Sequence, residues 1–384
     1  MEQMTTFMIE IEQYLLRDPA SLITPCLLVY PKLIRANIAE SIRVAGSSLK
    51  LRPHVKTHKT PEIVGLNQAA GINKFKCATL SEAHMLGCCG AADVLIAYPQ
   101  VGPAIARLIE IMREFPQTRY STVVDNGNSL QQLDAAVAQA GLTMPVLLDL
   151  DTGMHRTGIP VGPAAQELYL QIGQCRALSA GGMHLYDGQN HQPNLQDRRT
   201  AVNALWQTVL QMVEQLTQAG AAVPKVVCGG TPTFPVFASL QPPIQKIDIE
   251  CSPGTCVLSD FNYGRDYADM SGFQPAAVLM TRVISRHHTN RVTVDLGYKA
   301  VASDPPAGRR CHFLNLPEAK EIQHSEEHLV LESPAANHLQ VGDVLYAIPA
   351  HVCPTVALHS HLIVIEEGAI IDRWQVTARD RLVG

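Results

Sequence analysis

The sequence is short of aromatic side chains and of charge. Over 384 residues only 5% are aromatic and 17% charged, against 46% hydrophobic. The formal net charge is −5, so a surface built to neutralise nucleic acid or an anionic membrane is excluded. No apolar run approaches the roughly eighteen residues that a membrane span needs. The first residues carry Glu2, Glu10 and Glu12 and lack a basic leader segment, so no signal peptide is expected. The ten cysteines show neither a CxxC pair nor a compact spacing. They sit in apolar runs, as Cys77 and Cys228 do, with one vicinal pair, Cys88-Cys89. Reduced thiols in a cytoplasmic enzyme are expected, not a disulfide framework. A GxGxxG fingerprint after the first strand is also missing, which argues against an open dinucleotide-binding sheet.

What is present is a monotonous alternation. After a helical extension over residues 1–21, a strand Cys26–Tyr30 leads into an amphipathic helix over 31–45, striped by Leu33, Ile34, Ile38 and Ile42. Strand candidates then fall at 51–56, 74–78, 92–98, 120–125, 146–151, 181–186, 225–229 and 246–251. Helical runs separate most of them, with Ser81 and Ser129 as expected caps and Gly71, Gly90, Gly141 and Gly220 as expected stops. Short apolar strands alternating with helices predict a (β/α)8 TIM-type barrel. Past Ala276 the texture becomes strand-like, with turn residues between strands at 276–285, 291–296, 328–332, 344–348 and 362–366. The expected organisation is an extension over 1–21, a barrel domain over 22–275 and a C-terminal all-β domain over 276–384.

In such a barrel, functional residues sit at the C-terminal strand ends. There the chain reads Leu-Arg-Pro-His-Val-Lys-Thr-His-Lys over 51–59, Asp-Thr-Gly-Met-His-Arg-Thr-Gly over 151–158, and His-Leu-Tyr-Asp-Gly-Gln-Asn-His over 184–191. Read as a strand, 51–56 puts Arg52, His54 and Lys56 on one face. A lysine held among other cations loses its proton more readily and becomes a nucleophile for carbonyl cofactors. After the last two barrel strands come Gly229-Gly230-Thr231-Pro-Thr233 and Pro253-Gly254-Thr255. Backbone N–H groups exposed by glycine, with threonine hydroxyls, suit a phosphate cradle in these two loops. Tyr186 reads either as a stacking phenol or as a barrel-rim aromatic. Arg156 reads either as a partner for a pyridine nitrogen or as a partner for Asp151. In the β domain, Pro-Ala-His-Val-Cys-Pro-Thr over 349–355 puts His351 and Cys353 on one face if extended. An imidazole and a thiol so placed suit a divalent metal with open positions.

The string Arg52-Pro-His-Val-Lys-Thr-His-Lys59 resembles the cofactor lysine segment of pyridoxal-phosphate enzymes with the alanine-racemase fold. It is closest to the D-threonine aldolase and D-serine dehydratase group. The resemblance extends from about Leu22 to Arg381 and includes Ser259-Asp260, Tyr263-Gly264 and Ala378-Arg-Asp-Arg381. It implies pyridoxal 5'-phosphate on Lys56, not Lys59, with the cofactor phosphate near Gly230, Thr231, Gly254 and Thr255. It also implies a divalent metal on His351 and Cys353, and His191 near a substrate hydroxyl. Aldolases of the group carry Asp at the second metal position and dehydratases carry Cys, so Cys353 departs from the aldolase pattern. A thiolate favours zinc over manganese or magnesium.

The expected activity is retro-aldol cleavage of small β-hydroxy D-amino acids by a D-threonine aldolase type of lyase. Catalysis would rest on Lys56 and on His191, whose unperturbed imidazole suits a general base. The alternative is a D-serine or 3-hydroxy-D-aspartate dehydratase. A non-catalytic pyridoxal-phosphate carrier is disfavoured by the C-terminal β domain. The resemblance also implies a homodimer.

Overall fold

The computed structural model describes residues 10–240 and 247–381. They divide into two compact units. One comprises Thr57–Ile63 and Thr255–Arg379 with the N-terminal segment through Glu40; the other comprises Ser41–Lys56 and Val64–Gly254. The helical reading of residues 1–9 lies outside the described residues. The rest of that segment holds only the single 3-10 turns Ile11–Tyr14 and Pro19–Ser21, a correction to the expected helix. No helix among the described residues is long and apolar enough to cross a membrane.

The first strand, β1 (Cys26–Val29), belongs to the sheet of the first unit. The second unit is built on β2 (Lys74–Cys77), β3 (Asp93–Ile96), β4 (Arg119–Val124), β5 (Met144–Asp151), β6 (Ile159–Pro160), β7 (Leu178–Leu185), β8 (Lys225–Cys228) and β9 (Asp248–Cys251). Seven of these form a curled parallel sheet in the order β2-β3-β4-β5-β7-β8-β9, and the two-residue β6 pairs beside β5. The expected strand over 51–56 is not a regular strand. It survives as two bridges, Leu51 to Cys251 of β9 and His54 to Lys76 of β2, followed by a 3-10 turn over Val55–Thr57. Pro53 has no N–H to give to a ladder, which breaks the regular pairing. The backbone still links both edges: Arg52 N–H donates to Cys251 O at 2.8 Å and Lys76 N–H donates to Pro53 O at 2.9 Å. The eight-membered alternation was therefore legible, with its first member reduced to bridges.

The helix Pro31–Ala45 has the expected bounds. Two caps differ from expectation. Thr79 caps Leu80–Cys88 by accepting from Glu82 N–H, and Asn126 caps Gly127–Gln139 by accepting from Ser129 N–H, so Ser81 and Ser129 lie inside their helices. Both true caps reach the third residue of the helix, where an unpaired N–H awaits a partner. The glycines expected to stop helices do so in the left-handed region, at φ of 82°, 66°, 70° and 80° for Gly71, Gly90, Gly141 and Gly220.

The inside of the curled sheet carries an apolar layer of Leu95, Val123, Leu147 and Val227, with Ala97 packed against it. At the N-terminal ends of the strands lies an ionic network centred on Arg52, which is 1% exposed. Its Nε donates to Glu250 at 2.6 Å and its Nη1 to Asp93 at 2.7 Å. Lys74 donates to the other oxygen of Glu250 at 2.7 Å, and Arg119 pairs with Asp93 at 2.9 Å. Burial alone would raise both carboxyls. The Arg52 charge and its hydrogen bonds outweigh burial, so Asp93 and Glu250 lie below their ordinary values.

The other unit carries β10 (Ala277–His288), β11 (Arg291–Val294), β12 (Cys311–Phe313), β13 (Lys320–His324), β14 (Leu329–Glu332), β15 (Val344–Pro349), β16 (His361–Glu366) and β17 (Ala369–Gln375). With β1 they form one mostly antiparallel sheet, in which β1 pairs antiparallel with β10 and parallel with β16. Strands β12, β13 and β17 carry too little apolar alternation to be read from sequence. The burial pattern of β17 leaves one residue of seven buried, Trp374.

Arg52→Ala is expected to lower unfolding free energy by about 3–5 kcal/mol, because it strands buried carboxylates. Since Asp93 and Glu250 are depressed in the fold, their stabilisation is full above the ordinary carboxylate values of 3.8 and 4.5. It is lost as pH falls through their lower folded values. Urea unfolding between pH 2 and 7 should show a shallower acid limb for Glu250→Gln than for the parent, and an identical limb would refute this assignment.

Candidate active site

In the second unit, Lys56 follows the His54 bridge and rises on the Val55–Thr57 turn. His54 Nδ1 accepts from the Lys56 N–H at 3.3 Å, which braces that turn. The Lys56 ammonium lies 5.7 Å from the centre of the Tyr186 ring. The Arg156 guanidinium lies over the same ring at 4.9 Å. Cation–π attraction favours both cations beside this one ring. Lys56, Tyr186 and Arg156 therefore meet, as the strand-end reading expected.

Arg156 is held by its loop. Asp151 Oδ1 accepts from the N–H groups of Gly153 and His155 at 3.0 Å each, and its Oδ2 meets His155 Nδ1 at 2.9 Å. Asp151 is thus engaged by His155, and Arg156 projects past it. His155 sits at φ 53°, a left-handed turn unusual for a residue with a Cβ. Gly158, at φ 95°, returns the chain to β6, and a Cβ there would lie 2.5 Å from Asp151 N. Only glycine fits at 158.

The loops after β8 and β9 meet at one bond: Gly254 N–H donates to Thr231 Oγ1 at 3.3 Å. Thr231 is buried, and a Cβ added at Gly230 would come within 3.2 Å of the Tyr186 ring. The Gly230 N–H is already directed at Asp187 Oδ1, at 3.4 Å, and Thr233 donates to the same oxygen at 2.9 Å. Ser252 Oγ is buried with no hydrogen-bond partner among the described residues. A glycine-lined loop pair with an unfilled buried hydroxyl fits an anionic group such as the phosphate of pyridoxal phosphate. Lys56 beside an aromatic ring fits its aldehyde and its pyridine.

Two groups in this unit were not assigned by sequence. Asp149 and His184, on the neighbouring strands β5 and β7, join at 2.7 Å through His184 Nδ1. Lys76 of β2 is 3% exposed. Burial, then the nearby Lys56 charge, pushes it down to about 7. Periodicity identifies both only as inward-facing strand positions. His191, by contrast, is exposed on the loop after β7, where its N–H donates to Gln189 O at 3.1 Å.

The other unit contains the 349–355 motif, where the extended reading is corrected. His351 is the N-cap of a helix, Val352–Leu358, and Cys353 lies in its first turn. Pro354 follows in that turn, where a missing N–H is tolerated. The cap still brings imidazole and thiol together. Cys353 hydrogen-bonds His351, and its Sγ lies 3.1 Å from Thr57 Oγ1 and 3.5 Å from Thr255 Oγ1. Thr57 is the residue after Lys56, and the Thr255 hydroxyl is turned to this thiol. His351 Nδ1 meets Asp304 Oδ2 at 2.5 Å, a partner 47 positions away with no sequence signal.

Burial would lower His351, but Cys353 and Asp304 outweigh it and raise the imidazole to about 9. Burial would raise Cys353, but His351 and the two threonines outweigh it and lower the thiol. Each group thus favours the charged form of the other. No group of three or more His, Cys, Asp or Glu side chains assembled for a metal exists among the described residues. An imidazole and a thiolate side by side fit a divalent cation that keeps open positions for water and substrate.

In metal-free protein, His351→Ala should slow alkylation of Cys353 at pH 7.5 by about tenfold or more, because the thiol loses its cationic partner. Mass spectrometry of the Cys353 peptide measures this. An unchanged rate would mean that His351 does not ionise the thiol.

Comparison with known proteins bears on the family and the fold. The family model for the alanine racemase N-terminal domain matches residues 30–248, and one for a putative serine dehydratase domain matches residues 276–365. The chain is 29% identical to the D-threonine aldolase of Arthrobacter sp over 335 residues, covering 86% of this chain and 85% of that protein. It is 25% identical to the D-threo-3-hydroxyaspartate dehydratase of Delftia sp. (strain HT23) over 382 residues, covering 92% and 96%. The crystal structure of the D-threonine aldolase from Filomicrobium marinum matches with a TM-score of 0.85 at 26% identity, covering 94% of this chain and 96% of that one.

Proposed function

This chain belongs to the alanine racemase N-terminal domain family, and from that premise we propose a pyridoxal-phosphate- and metal-dependent lyase of β-hydroxy D-amino acids. The proposed reaction is retro-aldol cleavage to glycine and an aldehyde, the D-threonine aldolase type. The observation that carries the reading is Lys56 and Arg156 gathered on the Tyr186 ring, at the C-terminal ends of parallel strands. The D-threonine aldolase of Arthrobacter sp, similar over most of both chains, supports it. In this reading residues 22–275 form the cofactor domain and 276–384 the metal domain, and the protein is a homodimer, checked by light scattering.

Lys56 would carry the cofactor, Tyr186 and Arg156 would hold its ring, and Thr231, Gly254, Thr255 and Gly230 would surround its phosphate. When bound, the cofactor supplies an electron sink for charge left at the substrate Cα. His351 and Cys353 would hold the metal, zinc being favoured by the thiolate. When bound, a divalent ion supplies a Lewis acid that acidifies a hydroxyl. Asp304 would orient His351: by engaging Nδ1 it leaves Nε2 as the nitrogen to coordinate a metal. His191 would take the proton from the substrate β-hydroxyl, which directs cleavage to Cα–Cβ.

A second reading is supported by Cys353, a thiol where a carboxylate marks the aldolase pattern. If Lys56 instead removes the Cα proton, the β-hydroxyl leaves. The reaction is then that of a D-serine or 3-hydroxy-D-aspartate dehydratase, releasing keto acid and ammonia. The dehydratase of Delftia sp. (strain HT23) supports this alternative.

Product analysis separates the two. With D-threonine, glycine and acetaldehyde are expected; keto acid and ammonia as the main products would move the protein to the dehydratase class. His191→Ala should slow aldehyde release by about 10²–10⁴-fold, and an unchanged rate removes His191 from the mechanism. Lys56→Ala should abolish the visible absorption band of the lysine-bound cofactor, whereas Lys59→Ala should retain it. Chelation should stop turnover, and zinc should restore it.

A further inference from the structure

His184 Nε2 is a buried ring nitrogen with no hydrogen-bond partner among the described residues. Leaving such a group unpaired is costly, so its surroundings ask for a partner. The other side of the ring is fully engaged. Asp149 Oδ1 meets Nδ1 at 2.7 Å, and Asp149 Oδ2 accepts from Thr157 Oγ1 at 3.0 Å. With a carboxylate oxygen of Asp149 at Nδ1, the proton resides there, and Nε2 presents a lone pair. Burial, reinforced by the charges of Lys76 and Arg156, lowers the imidazole below its ordinary value against the pull of Asp149, which favours the neutral ring.

His184 is near the end of β7 and Tyr186 is the first residue past it, two positions on, so an extended chain places both on one face. Tyr186 is the ring on which Lys56 and Arg156 converge. The charges that act on His184 come from residues of the same pocket: Arg156, and Lys76, which itself feels Lys56. Lysine and arginine are donors, so they cannot serve a donor on a bound ring. A neutral histidine nitrogen can.

We propose that His184 is a further cofactor-binding residue, its Nε2 accepting a hydrogen bond from a donor on the bound pyridoxal phosphate ring, with Asp149 the positioning residue that fixes this nitrogen as an acceptor. The inference rests on the reading of this pocket as a pyridoxal phosphate site. Such a ring offers two donors, a protonated ring nitrogen and a phenolic hydroxyl, and either meets an acceptor here. Asp149→Asn is the informative change. It keeps size and shape, but an amide turned to Nδ1 selects the opposite tautomer and makes Nε2 a donor.

The test titrates cofactor-free protein with pyridoxal phosphate, reading the affinity and the position of the visible band, with melting temperatures recorded alongside. His184→Leu should weaken binding about tenfold, the loss of one net hydrogen bond, and should shift the band. His184→Gln, whose amide oxygen can accept, should stay within about threefold of the parent. Asp149→Asn should weaken binding at an unchanged melting temperature. If His184→Leu does not fold, a loss for Asp149→Asn without one for His184→Gln still supports the proposal. Equal affinities and bands in Asp149→Asn and the parent overturn it and leave a buried water as the partner of Nε2. A parent protein that gives no more band than Lys56→Ala overturns the cofactor reading itself, and this inference with it.

Discussion

The buried guanidinium of Arg52 is the constraint on which the parallel-sheet unit depends. It sits where the parallel sheet closes, bonded to Glu250 of β9 and Asp93 of β3, with its backbone joined to Cys251. A fully buried cation is tolerated only with charged partners of good geometry. Meeting that demand brings β9, β3 and the Leu51–His54 segment into one register. Lys56 lies four residues beyond Arg52, so the register that satisfies the guanidinium also sets where the lysine emerges. Pro53 prevents a regular strand there, and the short turn after it lifts Lys56 to the Tyr186 ring.

Above that ionic base the interior changes character in layers. The apolar layer of Leu95, Val123, Leu147 and Val227 separates the base from the polar strand ends. Each residue pair along an inward face places one member in each layer, as with Leu147 and Asp149 on β5. The dry layer separates the charged groups at the two ends and keeps water out between them. It also explains why Lys76 and His184 are desolvated and perturbed while the loop residues Arg156 and His191 remain exposed. Cations gather around Tyr186, the Asp149 carboxylate that acts on Lys76 is engaged by His184 and Thr157, and glycine opens the loops that follow.

Much of this was legible from residue order. Strand and helix alternation, the Pro31–Ala45 helix and the glycine stops depend on local pattern and on glycine's access to positive φ, and both act over a few residues. The grouping of Lys56, Arg156 and Tyr186 was legible because barrel strands deliver their C-terminal ends to one place. The errors share a cause. Thr79 and Asn126 cap their helices because a side-chain oxygen reaches an N–H three residues on, while Ser81 and Ser129 are just as good caps by type. His351-Val-Cys353 was read as extended, yet a helix starts there, with Pro354 in a position that helix tolerates. Local sequence permitted both conformations, and the surrounding chain chose one. Asp260, for instance, accepts from Val352 N–H at 3.2 Å and holds the start of that helix.

By itself the sequence determined the order of elements and the lysine at the end of the first barrel segment. These follow from spacing along the chain, which folding does not alter. Only the tertiary structure decided that Asp149 faces His184, that Asp304 engages His351, and that Thr57 and Thr255 reach Cys353. Those partners lie 35, 47, 296 and 98 positions apart. Contacts of that range depend on strand register and on which groups burial leaves without water. Both are properties of the packed chain, which is why no local pattern announced them.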